Sequence, residues 1–270
     1  MKGRRKEEFI MPDMIFKRFA QIDCVEAIAL GGSRAGRVYD EKSDYDVYVY
    51  VTAPMEEEIR RQILSEYCSS MEIGNHYWEY EDNCVLNSGI DIDILYRDLD
   101  QFCKDIERVV VQCQASNSYT TCMWHNLINC KIIYDRTGKL KAAKEKYDIP
   151  YPQDLKKAII VRQLNLMENA LPAYKGQIEK ALRRKDFVSV NHRVTEFLAS
   201  YFDLLFALNE KTHPGEKRLI ELCKSSCPIL PKDFEKNIKM LLSHLYLGDD
   251  NYIKVMDDLN RMITSVKQIL

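Results

Sequence analysis

No stretch of this 270-residue chain approaches the roughly 18 consecutive apolar residues that a bilayer-crossing helix needs, so a membrane span is not expected. The segment from Lys2 to Glu8 is charged and has no apolar run behind it, which argues against a secretory signal. An excess of either charge is also missing. The 39 basic and 41 acidic residues leave a formal net charge of -2, which argues against a protein that coats nucleic acid, while a local basic groove stays compatible with it. The nine cysteines contain no Cys-x-x-Cys pair, and only Cys223 and Cys227 lie close together. A disulfide framework or a zinc site is therefore disfavoured, and free thiols in a reducing cytoplasm are expected. No repeat of fixed period and no low-complexity segment is present. With 46% hydrophobic residues, the chain has ample material for a packed core, and its length suggests two compact domains.

Strand and helix patterns divide the chain. Apolar residues at Ile15, Phe19 and Ile22 have helical spacing, with Asp13 as a cap. Residues 25–30 read as a buried strand stopped by Gly31 and Gly32. Residues 46–51 are β-branched and aromatic and read as a second strand. A helix is expected over 55–68 and a strand over 74–85, with Asn87-Ser88-Gly89 as a hairpin turn. In Ile90-Asp91-Ile92-Asp93-Ile94-Leu95-Tyr96, period-2 alternation puts the isoleucines and Tyr96 on one face and Asp91, Asp93 and Leu95 on the other. Helices over 99–112 and 120–129, a strand over 131–134 and a helix ending near 147 complete this half. Beyond Pro150 and Pro152 strand-like alternation disappears. Helices are expected over 153–171, 176–184, 187–209, 216–223, 232–245 and 252–269. The expected organisation is an α/β (α+β) mixed-sheet domain over 1–150 followed by an α-helical bundle over 151–270.

Three features between residues 31 and 93 converge on one chemistry. Gly31-Gly32-Ser33 follows a strand, where backbone N–H groups and a hydroxyl can face an anion. Asp44 and Asp46, two residues apart, point to the same side of a strand start. Asp93, on another strand, can complete a three-carboxylate set. Two carboxylates beside each other on an apolar strand are costly unless a cation meets them. Such a set suits Mg²⁺, which takes oxygen ligands and retains substrate phosphates in its shell. Two ions can hold the attacking and leaving oxygens of an in-line displacement.

The pattern of apolar strand, Gly32-Ser33, a ten-residue spacer, Asp44-x-Asp46 and a later acid on a strand resembles the DNA polymerase beta-like nucleotidyltransferase superfamily. The fuller form, Gly-Ser-Arg-Ala with Gly36 nearby and Ser43-Asp44-Tyr45-Asp46, looks like its minimal and antibiotic-modifying branches. The fragments Ile133 to Gly138 and Ala207 to Arg218 look like two-domain bacterial members. The resemblance implies Asp44, Asp46 and Asp93 as metal ligands for two Mg²⁺ ions. It also implies Gly32 and Ser33 at the β/γ-phosphates of an NTP, with ATP expected first, and Arg34 reaching the triphosphate. Asp93 would also help activate the attacking hydroxyl, with Asp91 on the same face and Glu196 as rivals. The reaction implied is transfer of a nucleoside monophosphate to a hydroxylated acceptor, a small molecule first, with release of pyrophosphate. Nucleotidylation of a protein or an RNA, or a non-catalytic nucleotide sensor, are the competing readings.

Plainer accounts exist for several residues. Asp91 and Asp93 can charge an exposed edge strand. Tyr77, Trp78 and Tyr80 are expected on a sheet face in the core. His125 and His192 are expected to pack or cap, Glu196 to pair with Arg193 or His192, and Lys2, Arg4, Arg5 and Lys6 to be solvated. Lys217 and Arg218 open a helix, where cations oppose the dipole unless an anion is near.

Overall fold

The computed structural model describes residues 11–35, 43–245 and 252–270, without the side chains of Met11 and Ser33. The cluster Lys2-Arg4-Arg5-Lys6 and the motif residue Gly36 lie outside that set. The chain divides into two compact units, Met1–Ile106 with Asn126–Ile149, and Glu107–His125 with Pro150–Leu270.

The first unit is built on a mixed six-stranded sheet in the order β3-β4-β5-β2-β1-β6. Its strands are β1 (Val25–Leu30), β2 (Tyr45–Val51), β3 (Cys68–Asn75), β4 (Glu81–Leu86), β5 (Asp91–Asp98) and β6 (Lys131–Asp135). Every pairing is antiparallel except that of β2 with β5, which is parallel. Alternation sorts the side chains. Ile28, Leu30, Val47, Val49, Ile92, Ile94 and Tyr96 share one buried cluster with Ile15, Phe16 and Phe19 of α1 (Met11–Phe19) and with Ile63 and Leu64 of α3 (Glu57–Leu64). On the opposite face Ala27 and Ala29 lie in register with the bulky Tyr50 and Tyr48. There Phe102 of α4 (Leu99–Val110) packs on Tyr50, ring centroids 5.4 Å apart. Tyr147 of α6 (Lys139–Tyr147) donates to the Cys103 carbonyl at 3.4 Å, tying α6 to α4.

One expected strand divides into two. The run over 74–85 is the end of β3, a turn, and β4, so Tyr77 and Trp78 stand in solvent at 76% and 89% exposure instead of in the core. Tyr80 alone is half-buried, stacked on His76 and packed against Tyr96. Local alternation could not show the turn, because His76-Tyr77-Trp78 has the aromatic content of a strand. Beneath the apolar face lies a charge pair absent from the sequence reading. Arg60 and Asp82 are both buried and pair at 2.5 Å, with Asp82 also accepting from Tyr96 Oη and Gly74 N, each at 2.8 Å.

The second unit is helical: α7 (Gln153–Leu164) running into a π-turn segment (Asn165–Asn169), then α8 (Tyr174–Arg183), α9 (Phe187–Leu208), α10 (Leu219–Ser226), α11 (Phe234–Leu245) and α12 (Tyr252–Lys267). α5 (Cys122–Asn129) begins in this unit and ends in the first. The start of α9 is capped by Asp186, which accepts the Ser189 N–H at 3.1 Å. Its last nine residues, Ser200 to Leu208, are all buried, so α9 forms the axis of the bundle. All nine cysteines are free thiols.

A buried carboxyl interrupts that apolar axis. Asp203 accepts from Thr120 N at 3.0 Å, Thr120 Oγ1 at 2.7 Å and Gln163 Nε2 at 2.7 Å. Burial outweighs these bonds and pushes it up to about 6. His213, fully buried against the rings of Tyr119 and Phe206, is pushed down to about 4 by burial, with His125 adding to the shift. The two act in opposite directions. Asp203 contributes stability that is complete below its ordinary value of 3.8 and lost as pH rises through about 6. His213 contributes stability that is complete above its ordinary value of 6.5 and lost as pH falls toward about 4. Each window is worth about 3 kcal/mol. Asp203→Asn removes the first slope only. Its urea midpoint should therefore fall steeply between pH 6.5 and 4, while that of the parent chain stays flatter. Equal slopes in the two proteins would show that Asp203 titrates at its ordinary value.

Candidate functional site

Two of the carboxylates singled out in the sequence, those of Asp46 and Asp93, lie where β1 ends and β2 and β5 begin. The parallel register places Asp46 directly beside Asp93. Paired strands lie about 4.8 Å apart and registered partners share a face, so both carboxylates leave the same side of the sheet. Both are half-buried, while Asp44, just before β2, is exposed. Asp91 is exposed and lies opposite Val85 of β4, so it is Asp93, not Asp91, that is registered with Asp46. Asp93 accepts a hydrogen bond from Asn83 Nδ2 at 2.7 Å.

The glycine turn closes against this pair. The Gly31 N–H donates to the Asp46 carbonyl at 2.8 Å, so that donor is already used. Tyr48 lies over Gly31, where a Cβ would stand 2.4 Å from the ring. Gly32 opens the short α2 (Gly32–Ala35) with φ +53°, and a Cβ there would sit 1.7 Å from Asp46 Oδ2. The backbone thus comes into direct contact with a carboxylate, which only glycine permits in this conformation. The first N–H groups of a helix lack intrahelical partners, and those of α2 belong to Gly32, Ser33 and Arg34. The Ser33 side chain lies outside the described residues. Arg34 Nε donates to the Ser43 carbonyl at 2.6 Å and its guanidinium stacks 3.7 Å above the Tyr45 ring. Arg34 therefore bridges the two ends of the 36–42 connection.

Further polar residues, none of them evident from the motif, share this face. Glu81, buried, lies opposite Leu95 and is pushed up first by burial and then by the negative charges of Asp93 and Glu79. Arg97, four residues beyond Asp93, is held in a two-pronged pair by Glu79 (2.7 and 2.8 Å) and lies over Tyr48. Their signal was present as polar residues at alternate positions of β4 and β5, but it needs the pairing of those strands to be read. Among the described residues no group of three or more His, Cys, Asp or Glu side chains stands close enough to hold a metal ion. Asp46 and Asp93 come together in register, and Asp44 does not close a third side.

Residues of the second unit take other partners. Glu196 is exposed and accepts from Tyr174 Oη at 3.3 Å, in place of the expected pairing with Arg193 or His192. His125 packs as expected and bonds Thr212 Oγ1 at 2.7 Å, and His192, Lys217 and Arg218 are exposed.

A family model described as a domain of unknown function (DUF4037) matches residues 119–219, under half of the chain. No curated protein matches. Among solved structures, the chain is similar to a nucleotidyltransferase-like protein from Exiguobacterium sibiricum 255-15, at 13% identity and a TM-score of 0.44, covering 93% of this chain and 72% of the other. It is also similar to an aminoglycoside 6-adenyltransferase from Bacillus subtilis, at 12% identity and a TM-score of 0.34, covering 96% and 88%. Both scores lie below 0.5, and the functional reading rests on this chain's own residues.

The close approach of Gly32 to Asp46 is directly testable. Gly32→Ala adds a collision with Asp46 Oδ2 to the strain of a positive φ, whereas Gly89→Ala, at φ +81° with nothing within 4 Å, adds the strain alone. The strain is about 1 kcal/mol at either position. Urea unfolding should show the larger loss in Gly32→Ala, and equal losses would mean that Asp46 is not held against the turn.

Proposed function

We propose that this chain is a divalent-cation-dependent nucleotidyltransferase, moving a nucleoside monophosphate from an NTP, ATP first, to a hydroxyl of a small acceptor. The observation that carries the reading is the registered pair Asp46 and Asp93, with the backbone of Gly32 against the Asp46 carboxylate. The donor set suits a hard cation: two registered carboxylates supply oxygen donors, and the turn beside Asp46 admits no Cβ. Asp46 and Asp93 would hold Mg²⁺, with two ions as the working count, and Asp44, which stands outside that pair, is the third ligand the sequence motif assigns. When bound, such ions offset the charge of the phosphates and make a coordinated hydroxyl more acidic.

The chain's own groups have distinct tasks in this reading. The N–H groups opening α2 bind the β/γ-phosphates, and the sequence motif assigns Ser33 to the same phosphates. Arg34, fixed by the Ser43 carbonyl and the Tyr45 ring, supplies a cation next to that anion. Asp93 takes the proton from the acceptor hydroxyl as the O–P bond forms and pyrophosphate departs. It is preferred over Asp91 because it is the register partner of Asp46. Glu196 is not needed in this scheme. Residues 151–270 provide acceptor recognition, and residues 1–150 the nucleotide half. No helix among the described residues is long and apolar enough to cross a membrane, which is compatible with a cytoplasmic substrate pool.

The reading is tested with labelled ATP, Mg²⁺ and a cell extract, following release of pyrophosphate and the fraction that acquires label. Small molecules should be labelled, whereas label in protein or RNA would move the acceptor to that class. Asp44→Asn and Asp46→Asn should each lower turnover on the order of 100-fold or more with an unchanged circular dichroism spectrum. Parent-level turnover in both variants would overturn the carboxylate assignment.

A further inference from the structure

Behind Asp93 stands a chain of side-chain amides. Asn83 Nδ2 donates to Asp93 Oδ1 at 2.7 Å, Asn75 Nδ2 donates to Asn83 Oδ1, and the Tyr77 N–H reaches Asn75 Oδ1 at 3.4 Å. Each amide is used as donor on one side and acceptor on the other, so neither can flip without breaking two bonds. A bulge in β3 makes this possible. Glu72 lies opposite Asn83 and Asn75 opposite Glu81, so three steps along β3 match two along β4. The extra residue reverses the alternation and brings Asn75 to the face that carries Asn83 and Asp93. Gly74, at φ +73°, occupies the bulge, and its N–H is held by Asp82 Oδ1 at 2.8 Å. The bulge is thus anchored to the buried Arg60–Asp82 pair on the opposite face.

We propose that Asn83 is a positioning residue that sets the orientation of the Asp93 carboxylate, and that Asn75 locks Asn83 in the donating orientation. The inference rests on the assignment of Asp93 as a cation ligand. With Oδ1 held by Asn83, Oδ2 faces away from the amide and is the oxygen offered to the cation and the acceptor hydroxyl. Removing a group that orients a ligand lowers affinity or activity by about 10–100-fold in metal sites generally.

The test uses the full chain, Mn²⁺ as the probe cation followed by electron paramagnetic resonance, and a non-hydrolysable ATP analogue. Asn83→Leu should weaken Mn²⁺ uptake about 10-fold or more and lower kcat by a similar factor, with KM for ATP within about 3-fold. Asn75→Leu should have a smaller effect, about 3-fold, because the donor to Asp93 remains. The double variant should match Asn83→Leu alone, since the two residues act through one bond. Asn83→Ala, which removes the donor with a smaller side chain, covers the case in which the leucine variant does not fold. Parent-level Mn²⁺ uptake in Asn83→Leu, or in Asn83→Ala where that is the variant used, would overturn the proposal, as would additive losses in the double variant. Side-chain amide resonances separate this failure from that of the nucleotidyltransferase reading. Asp93→Ala should shift the Asn83 amide signal whether or not a cation binds, and an unmoved signal overturns the relay. A parent chain that takes up no Mn²⁺ while the Asn83 signal moves overturns the cation-site reading and this role for the relay together.

Discussion

The parallel pairing of β2 with β5 is the constraint on which the rest of the site depends. Among the described residues it is the one parallel junction in an otherwise antiparallel sheet. A parallel pair starts both strands at the same edge, so acids near the two strand starts meet there. The pairing also decides the faces. Tyr45, Val47 and Val49 go down with Ile92, Ile94 and Tyr96 into the core, and Asp46 comes up beside Asp93. A slip of β5 by one residue would bury Asp93 and expose Ile92 and Ile94, so the apolar face enforces the register of the polar one.

The two faces are coupled by more than alternation. The buried Arg60–Asp82 pair beneath the sheet anchors the bulge that presents Asn75 above it. Breaking one partner of such a pair leaves an uncompensated buried charge, at a cost of about 3–5 kcal/mol. A structural ion pair and a candidate catalytic carboxylate are therefore joined through three strands. In the helical unit Asp203 and His213 are buried with opposing titration, so neither end of the mildly acidic range is favoured by the pair as a whole.

Much of the fold was legible beforehand. β1, β2, β5, β6 and the helices beyond Pro150 follow from runs whose period is unambiguous, and the mixed sheet with a helical region after it is present. The turn at 76–80 was not legible, because aromatic residues there have strand propensity yet stand in solvent. At the site, the motif pointed to Asp44, Asp46 and Asp93, and the fold brings the last two into register. Glu81, Asn83 and Asn75 carry no motif, and their relevance appears only when β3, β4 and β5 are laid side by side.

The sequence alone determined which residues carry charge at strand starts, where glycine must replace a side chain, and which face of each strand is apolar. These are local properties, set by side-chain chemistry and a two-residue period. The tertiary structure decided which acid stands beside Asp46, that Gly32 bears on Asp46, and that a chain of side-chain amides reaches Asp93. Those outcomes depend on strand order, register and a single-residue bulge, which are settled by packing between segments distant in the chain. The glycine–serine turn and the Asp44-x-Asp46 step begin the site, and the pairing with Asp93 on β5 gives it a geometry.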